Sequence, residues 1–141
     1  MSFTLYGDLG SGAFSAEAAL AEAGAPYTFE LVSLEKKEQK QPAFLAINPS
    51  GKIPALRLAE GEIITESAAI LLTLADHFPQ ARLLPPQASN DRALAYRWLA
   101  FMAGKSIRLS RSWIIPSASR LMVAMRTLCA QSRAIASGRA S

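Results

Sequence analysis

The sequence predicts an α/β domain, a mixed four-stranded sheet with flanking helices, followed by a partial all-helical segment. Two observations carry this. Short β-prone runs and helical patterns follow the order βαβ, a short helix, then ββα. A proline-rich stretch then separates that unit from a further helical pattern, with prolines at 79, 85 and 86.

Taken in order, Phe3 to Tyr6 is a short strand ending at Gly7. Residues Gly12 to Ala23 are alanine-rich, with Phe14, Ala18 and Ala21 on one side and Glu17 and Glu22 on another. That pattern predicts an amphipathic helix, and Gly24 stands where a helix-terminating glycine belongs. Tyr27 to Leu34 alternates as a second strand. Glu35 to Gln41 is charged, and Pro42–Ile47 reads as a short helix with proline in its first turn. Ile53 to Leu58 and Glu62 to Ile64 form a hairpin around Ala59-Glu60-Gly61. A helix follows from Ser67 to His77, with Leu71, Leu74, Ala75 and Phe78 on its core face. After the prolines, Ser89 or Asn90 caps a helix carrying Leu94, Trp98, Phe101 and Met102 on one side. One parallel crossover followed by an antiparallel hairpin is the thioredoxin-like arrangement. The predicted domains are residues 1–80, a linker at 81–88 and the helical segment 89–141.

Half of the 141 residues are hydrophobic, enough for one domain with a core or one domain plus part of a second. No run of 18 uncharged apolar residues is present, so no membrane partner is expected. The N-terminus lacks the basic and apolar regions of a signal peptide, and the single cysteine, Cys129, suits a reducing compartment. A cytoplasmic location is expected. Charge is unevenly placed: residues 1–91 hold six Lys/Arg and all eleven Asp/Glu, whereas residues 92–141 hold nine Lys/Arg and no acid.

Two stretches carry candidate binding chemistry. In Lys52-Ile53-Pro54, a proline opening an apolar strand donates no ladder hydrogen bond. If the Ile-Pro bond is cis, the backbone of Ile53 faces outward and an extended peptide can pair with it. The plainer alternative is a strand beginning with a trans proline. In Thr65-Glu66-Ser67-Ala68, a strand meets a helix. The helix N–H groups and a serine hydroxyl suit a carboxylate, and Glu66 suits an ammonium. The plainer alternative is an ordinary cap, with Thr65 as the capping residue.

Together, F-L-A-I-N-P-S-G-K-I-P-A-L, a hairpin and I-I-T-E-S-A-A-I-L-L-T-L-A-D resemble the glutathione-binding half of glutathione S-transferases. The resemblance runs from Phe3 to about Leu84, including LYG…AEAALAEAGAPYTFELV and ADHFPQARLLP. It implies that Ile53 and a cis Pro54 hold the cysteinyl part of glutathione, and that Glu66 and Ser67 hold the γ-glutamyl part. Lys52 lies near the same groove. In bacterial members a lysine after the second strand also reaches glutathione, which points to Lys36 or Lys37. No metal is implied.

The same resemblance frames the thiol chemistry, since the thiolate is the nucleophile. Ser11 stands where serine-type, theta-like members carry their catalytic serine, and Tyr6 stands close to the tyrosine of other classes. The cysteine of the bacterial beta class falls at Gly12, which excludes that mechanism. Ser15, one turn further on, is expected to face away. The plain roles are a helix cap for Ser11 and a packed strand residue for Tyr6. Glutaredoxin chemistry needs a cysteine at this turn, and there is none. His77 is a lone histidine suited to a helix C-terminus, and Cys129 has no assigned role.

The resemblance further implies a homodimeric detoxification enzyme that activates glutathione for attack on a small electrophile, with a second, helical domain supplying the electrophile's pocket. From Lys105 onward the chain is rich in serine and arginine and lacks the acidic residue that the family's later Ser/Thr-x-x-Asp capping box requires. That segment is read as a truncated or aberrant helical domain, with a natural basic arm as the competing reading. The alternative function is a non-catalytic glutathione-binding or protein-interaction module. Nucleic acid is not an expected partner.

Overall fold

The computed structural model describes residues 2–104; the reading of 105–141, Cys129 included, lies outside them. Four strands form one sheet: β1 (Phe3–Gly7), β2 (Tyr27–Leu31), β3 (Ala55–Arg57) and β4 (Ile63–Thr65), in the order β2-β1-β3-β4. β1 pairs parallel with β2, and β3 runs antiparallel to both β1 and β4. The helices are α1 (Ala13–Glu22), α2 (Pro42–Leu45), α3 (Ser67–His77) and α4 (Asn90–Gly104). Single 3₁₀ turns stand at Glu38–Lys40 and Pro79–Ala81. This is the mixed, thioredoxin-like sheet with flanking helices that the element order predicts.

Period-two alternation divides the sheet into two faces. Phe3 and Leu5 of β1 join Leu20 of α1, Leu56 of β3 and Ile70 and Leu74 of α3 in the main core. Tyr6, one residue out of phase, joins Phe44 of α2, Val32 and Ala55 on the other side. The helix α1 approaches β1 so closely that a Cβ on Gly7 would collide with that of Ala13. Its buried face is Ala13, Ala16, Ala19 and Leu20, with Ala18 also covered. Ala21 is exposed and Phe14 only half-buried, so the predicted Phe14-Ala18-Ala21 stripe is not the core face. In an alanine-rich helix more than one side is apolar, and the sheet takes the side that permits the shortest approach.

Helix ends follow local chemistry. Gly24 takes φ +62°, and the pair Gly24 N–H to Ala21 C=O (3.1 Å) and Ala25 N–H to Leu20 C=O (3.0 Å) closes α1 as a Schellman motif. At α4, the Ser89 hydroxyl accepts the Arg92 N–H at 3.1 Å, which selects Ser89 over Asn90 as the cap. Among the described side chains of α4, Arg92, Ala95 and Leu99 are buried, while Phe101 is 52% exposed. Of the predicted stripe Leu94, Trp98, Phe101 and Met102, Leu94 and Trp98 are half-buried, Phe101 is exposed, and the Met102 side chain lies outside the described ones. Burial lifts the Tyr27 phenol above its ordinary pKa of 10.0, helped by the charge of Glu17, whose carboxylate accepts its proton at 3.2 Å. Among the described residues no helix is long and apolar enough to cross a membrane.

Candidate functional site

Strand register brings four separate segments to one end of the sheet. Tyr6 pairs with Ala55, Ala55 with Thr65, and Gly7 with Leu31. Immediately beyond that row lie the β1–α1 loop with Ser11, the Ile53–Pro54 peptide that enters β3, the Glu66–Ser67 junction that leaves β4, and the Leu34–Lys37 segment that leaves β2. In chain order successive groups lie a dozen or more residues apart.

The Ile53–Pro54 peptide is cis. Neither the N–H nor the C=O of Ile53 has a hydrogen-bond partner among the described residues. Pro54 is buried against the start of α1: a Cβ on Gly12 would stand 3.7 Å from its Cδ. The approach to this peptide is built by Asn48, only 4% exposed. Its Nδ2 donates to the Lys52 C=O at 2.7 Å, and its Oδ1 accepts the Ser50 N–H at 3.1 Å and the Ser50 hydroxyl at 2.9 Å. Gly51 follows at φ +59°, where an added Cβ would sit 2.9 Å from the Gln39 C=O and 3.1 Å from Leu45 Cδ2. Only glycine fits both that backbone and that space. The Lys52 side chain itself is exposed.

At the second junction, Glu66 occupies φ 66°, ψ 118°, a conformation that costs a side-chain-bearing residue about 1–3 kcal/mol. No side chain caps α3, so the ordinary cap by Thr65 does not form. The N–H groups of Ser67 and Ala68, the Ser67 hydroxyl and the Glu66 carboxylate have no partner among the described residues. An uncapped helix N-terminus carries partial positive charge and free donors, and a carboxylate stands beside it.

Ser11 closes the β1–α1 turn. Its Oγ accepts the N–H groups of Asp8 (3.3 Å) and Ala13 (3.2 Å), which is the capping role open to it. Its own hydroxyl hydrogen meets no acceptor among the described residues and stays available for donation. Ser15 instead donates to the Gly12 C=O at 3.0 Å. The Tyr6 hydroxyl accepts both Nε (3.2 Å) and Nη2 (3.1 Å) of Arg57, and its ring packs edge-on against Phe44. Ser11 and Tyr6 thus occupy different surroundings, one an open turn and the other a packed face.

On the β2 side, Lys36 and Lys37 are exposed, and Lys37 takes φ 56°. His77 is exposed at the far end of α3, its ring edge-on to Phe3, away from these groups. Sequence reasoning missed the supporting residues Asp8, Asn48 and Arg57. An Asn before Pro-x-Gly is a turn signal that could have flagged Asn48. The bonds of Asp8 and Arg57 reach 26 and 51 residues away and leave no local pattern.

Comparison with known proteins places the chain in a family. A family model described as the glutathione S-transferase N-terminal domain matches residues 13–77. Glutathione S-transferase GstA of Escherichia coli O157:H7 is 39% identical over 85 residues, 60% of this chain and 42% of that protein. A maleylacetoacetate isomerase of Pseudomonas aeruginosa is 40% identical over 82 residues, 55% of this chain and 39% of that protein. The chain thus spans about two fifths of the length of these curated relatives. A glutathione transferase homologue from Sulfitobacter, solved with bound glutathione, superposes with a TM-score of 0.71 at 31% identity, covering 92% of this chain and 67% of that one. On the family match and the superposition, the chain belongs to the glutathione S-transferase family.

Proposed function

We propose that this chain binds glutathione at the end of its sheet and activates the thiol for attack on a small electrophile. One observation carries the reading: the unpaired Ile53 backbone, the uncapped start of α3 with Glu66 and Ser67, and the free hydroxyl hydrogen of Ser11 converge on one sheet end. Glutathione offers a matching set of groups. Its cysteinyl peptide unit can pair with Ile53 as an added strand. Its γ-glutamyl carboxylate suits Ser67 and the helix N-terminus, and its ammonium suits Glu66. Lys37, Lys36 or Lys52 can meet the remaining carboxylate. Pairing the cysteinyl unit at Ile53, beside Pro54 and the start of α1, sets its thiol near the Ser11 turn. A hydroxyl that already accepts two N–H bonds is polarised toward donating, and the dipole of α1 adds to the stabilisation of a thiolate. We assign Ser11, not Tyr6, as the thiolate donor, because the Tyr6 hydroxyl is turned toward Arg57, whose strand position pairs with Thr4, away from the sheet end where Ile53 and Ser67 lie. A homodimer and a cytoplasmic location belong to the same proposal.

The experiment is glutathione-resin retention together with an aryl halide transferase assay on the full chain. The wild type should bind and turn over. Ser11→Ala should still bind but lose about ten- to hundredfold in turnover at neutral pH, the worth of one hydrogen bond to a charged atom. Losing a donor to the thiolate raises the thiol pKa, so the variant's rate should recover as pH rises. Glu66→Ala with Ser67→Ala should abolish retention. Retention without turnover above the uncatalysed rate sinks the enzyme reading and leaves the binding module. Absence of retention sinks both.

A further inference from the structure

We infer that Asp8 is a positioning residue that holds the thiol end and the carboxylate end of the groove in register, an inference that rests on the glutathione reading above. Asp8 is half-buried and sits between the two segments. Toward Ser11 it is bonded twice through its backbone: its N–H donates to Ser11 Oγ at 3.3 Å, and its C=O accepts the Ser11 N–H at 3.2 Å. Its carboxylate then works in two directions. Oδ1 accepts the adjacent Leu9 N–H at 2.8 Å, which fixes the side chain on its own turn. Oδ2 accepts the Leu34 N–H at 2.8 Å, 26 residues along the chain.

Leu34 passes the constraint on. Its C=O accepts the Lys37 N–H at 3.2 Å, and the same short loop is closed by Glu38, whose Oε2 accepts the Ser33 N–H at 2.7 Å. A continuous series of bonds therefore runs from Ser11 through Asp8 and Leu34 to Lys37, one end facing the thiol and the other a carboxylate. Bonds from backbone N–H groups to a carboxylate are about twice as strong as neutral ones. Only a carboxylate offers an acceptor oxygen to both N–H groups. An asparagine would satisfy one and turn its NH₂ against the other. Because a misplacement near 1 Å can cost on the order of a hundredfold in rate, a loosened Ser11 turn should be felt in the thiol chemistry before it is felt in folding.

The test uses the full chain as wild type, Asp8→Ala and Asp8→Asn. Glutathione affinity is read by calorimetry, ionisation of the bound thiol by thiolate absorbance against pH, and folding by thermal unfolding. Asp8→Ala should bind glutathione about tenfold more weakly and shift bound-thiol ionisation to higher pH. Asp8→Asn, keeping one of the two bonds, should fall between. A lower melting temperature with affinity and thiol titration unchanged assigns Asp8 a purely structural role and overturns the inference. If Asp8→Ala does not fold, Asp8→Asn decides by the same readouts, and a wild-type titration in it overturns the inference. A wild type that does not bind millimolar glutathione refutes the glutathione reading itself, and the inference falls with it. A binding wild type with indifferent variants removes the inference alone.

Discussion

At the scale of single residues, the contrast between Ser11 and Tyr6 is decided by where each hydroxyl stands, Ser11 in the loop beyond the sheet end and Tyr6 turned back toward Arg57. Ser11 Oγ accepts two backbone N–H groups and keeps its proton for a ligand. The Tyr6 oxygen receives two donors from Arg57 while its ring packs on Phe44. Truncating that phenol leaves the guanidinium without an acceptor but only part-buried, so Tyr6→Phe should cost about 1 kcal/mol of stability. Transferase turnover should stay within about twofold of wild type, since no bond to the thiolate is lost. Turnover falling as far in Tyr6→Phe as in Ser11→Ala would return the thiol to Tyr6. Glu66 is the other residue-scale signal. Its φ of 66° is strain for a side-chain-bearing residue, held where an unpaired helix terminus opens.

At the scale of elements, the segment between α2 and β3 has no regular structure and yet aims the Ile53 backbone. Asn48 substitutes for it, spanning the loop from Ser50 to the Lys52 carbonyl with three hydrogen bonds. Asn48 is buried and makes three hydrogen bonds, so Asn48→Ala should lose about 2 kcal/mol. The urea midpoint should fall with an unchanged m-value, and retention on glutathione resin should weaken because Ile53 is no longer held. A midpoint loss with full retention would separate the loop from the groove. Element boundaries were largely legible in the sequence: α3 runs from Ser67 to His77 as its periodicity predicts, and the hairpin turns at Gly61. Strand lengths were not, since β2 stops at Leu31, short of Leu34, where its partner β1 ends at Gly7.

At the scale of the whole molecule, α4 is fastened to the sheet domain through Arg92, a buried arginine in the first turn of that helix. Its guanidinium donates to the Pro85 C=O at 3.0 Å, the Tyr96 hydroxyl at 2.9 Å and Asp76 Oδ1 at 3.3 Å. The Asp76 side chain is 62% exposed, so the ion pair itself is screened and worth under about 1 kcal/mol. The bond to the Pro85 carbonyl and the packing of the stem carry more. Asp76→Asn should therefore cost about 0.5 kcal/mol and Arg92→Ala about 2 kcal/mol. Amide exchange should quicken in α4 while β1 and β3 stay protected. Equal losses in the two variants would mean that the ion pair, not the Pro85 contact, docks the helix.

What the sequence by itself determined is local. Helix and strand periods, the glycine that ends α1, the proline before β3 and the Glu66-Ser67 junction are each set by neighbours a few residues away. The tertiary structure decided which side of an alanine-rich α1 meets the sheet, because close approach at Gly7 selects Ala13, Ala16 and Leu20 over the equally apolar Phe14 and Ala21. It likewise set the contact face of α4 by giving the buried Arg92 its partners, and turned the Tyr6 hydroxyl toward Arg57. Above all, strand register set Ser11, Ile53, Ser67 and the Leu34–Lys37 segment at one sheet end and let Asp8 bridge two of them. Local chemistry leaves a pattern in neighbouring letters. A hydrogen bond across 26 or 51 residues leaves none, because only the folded sheet brings its donor and acceptor together.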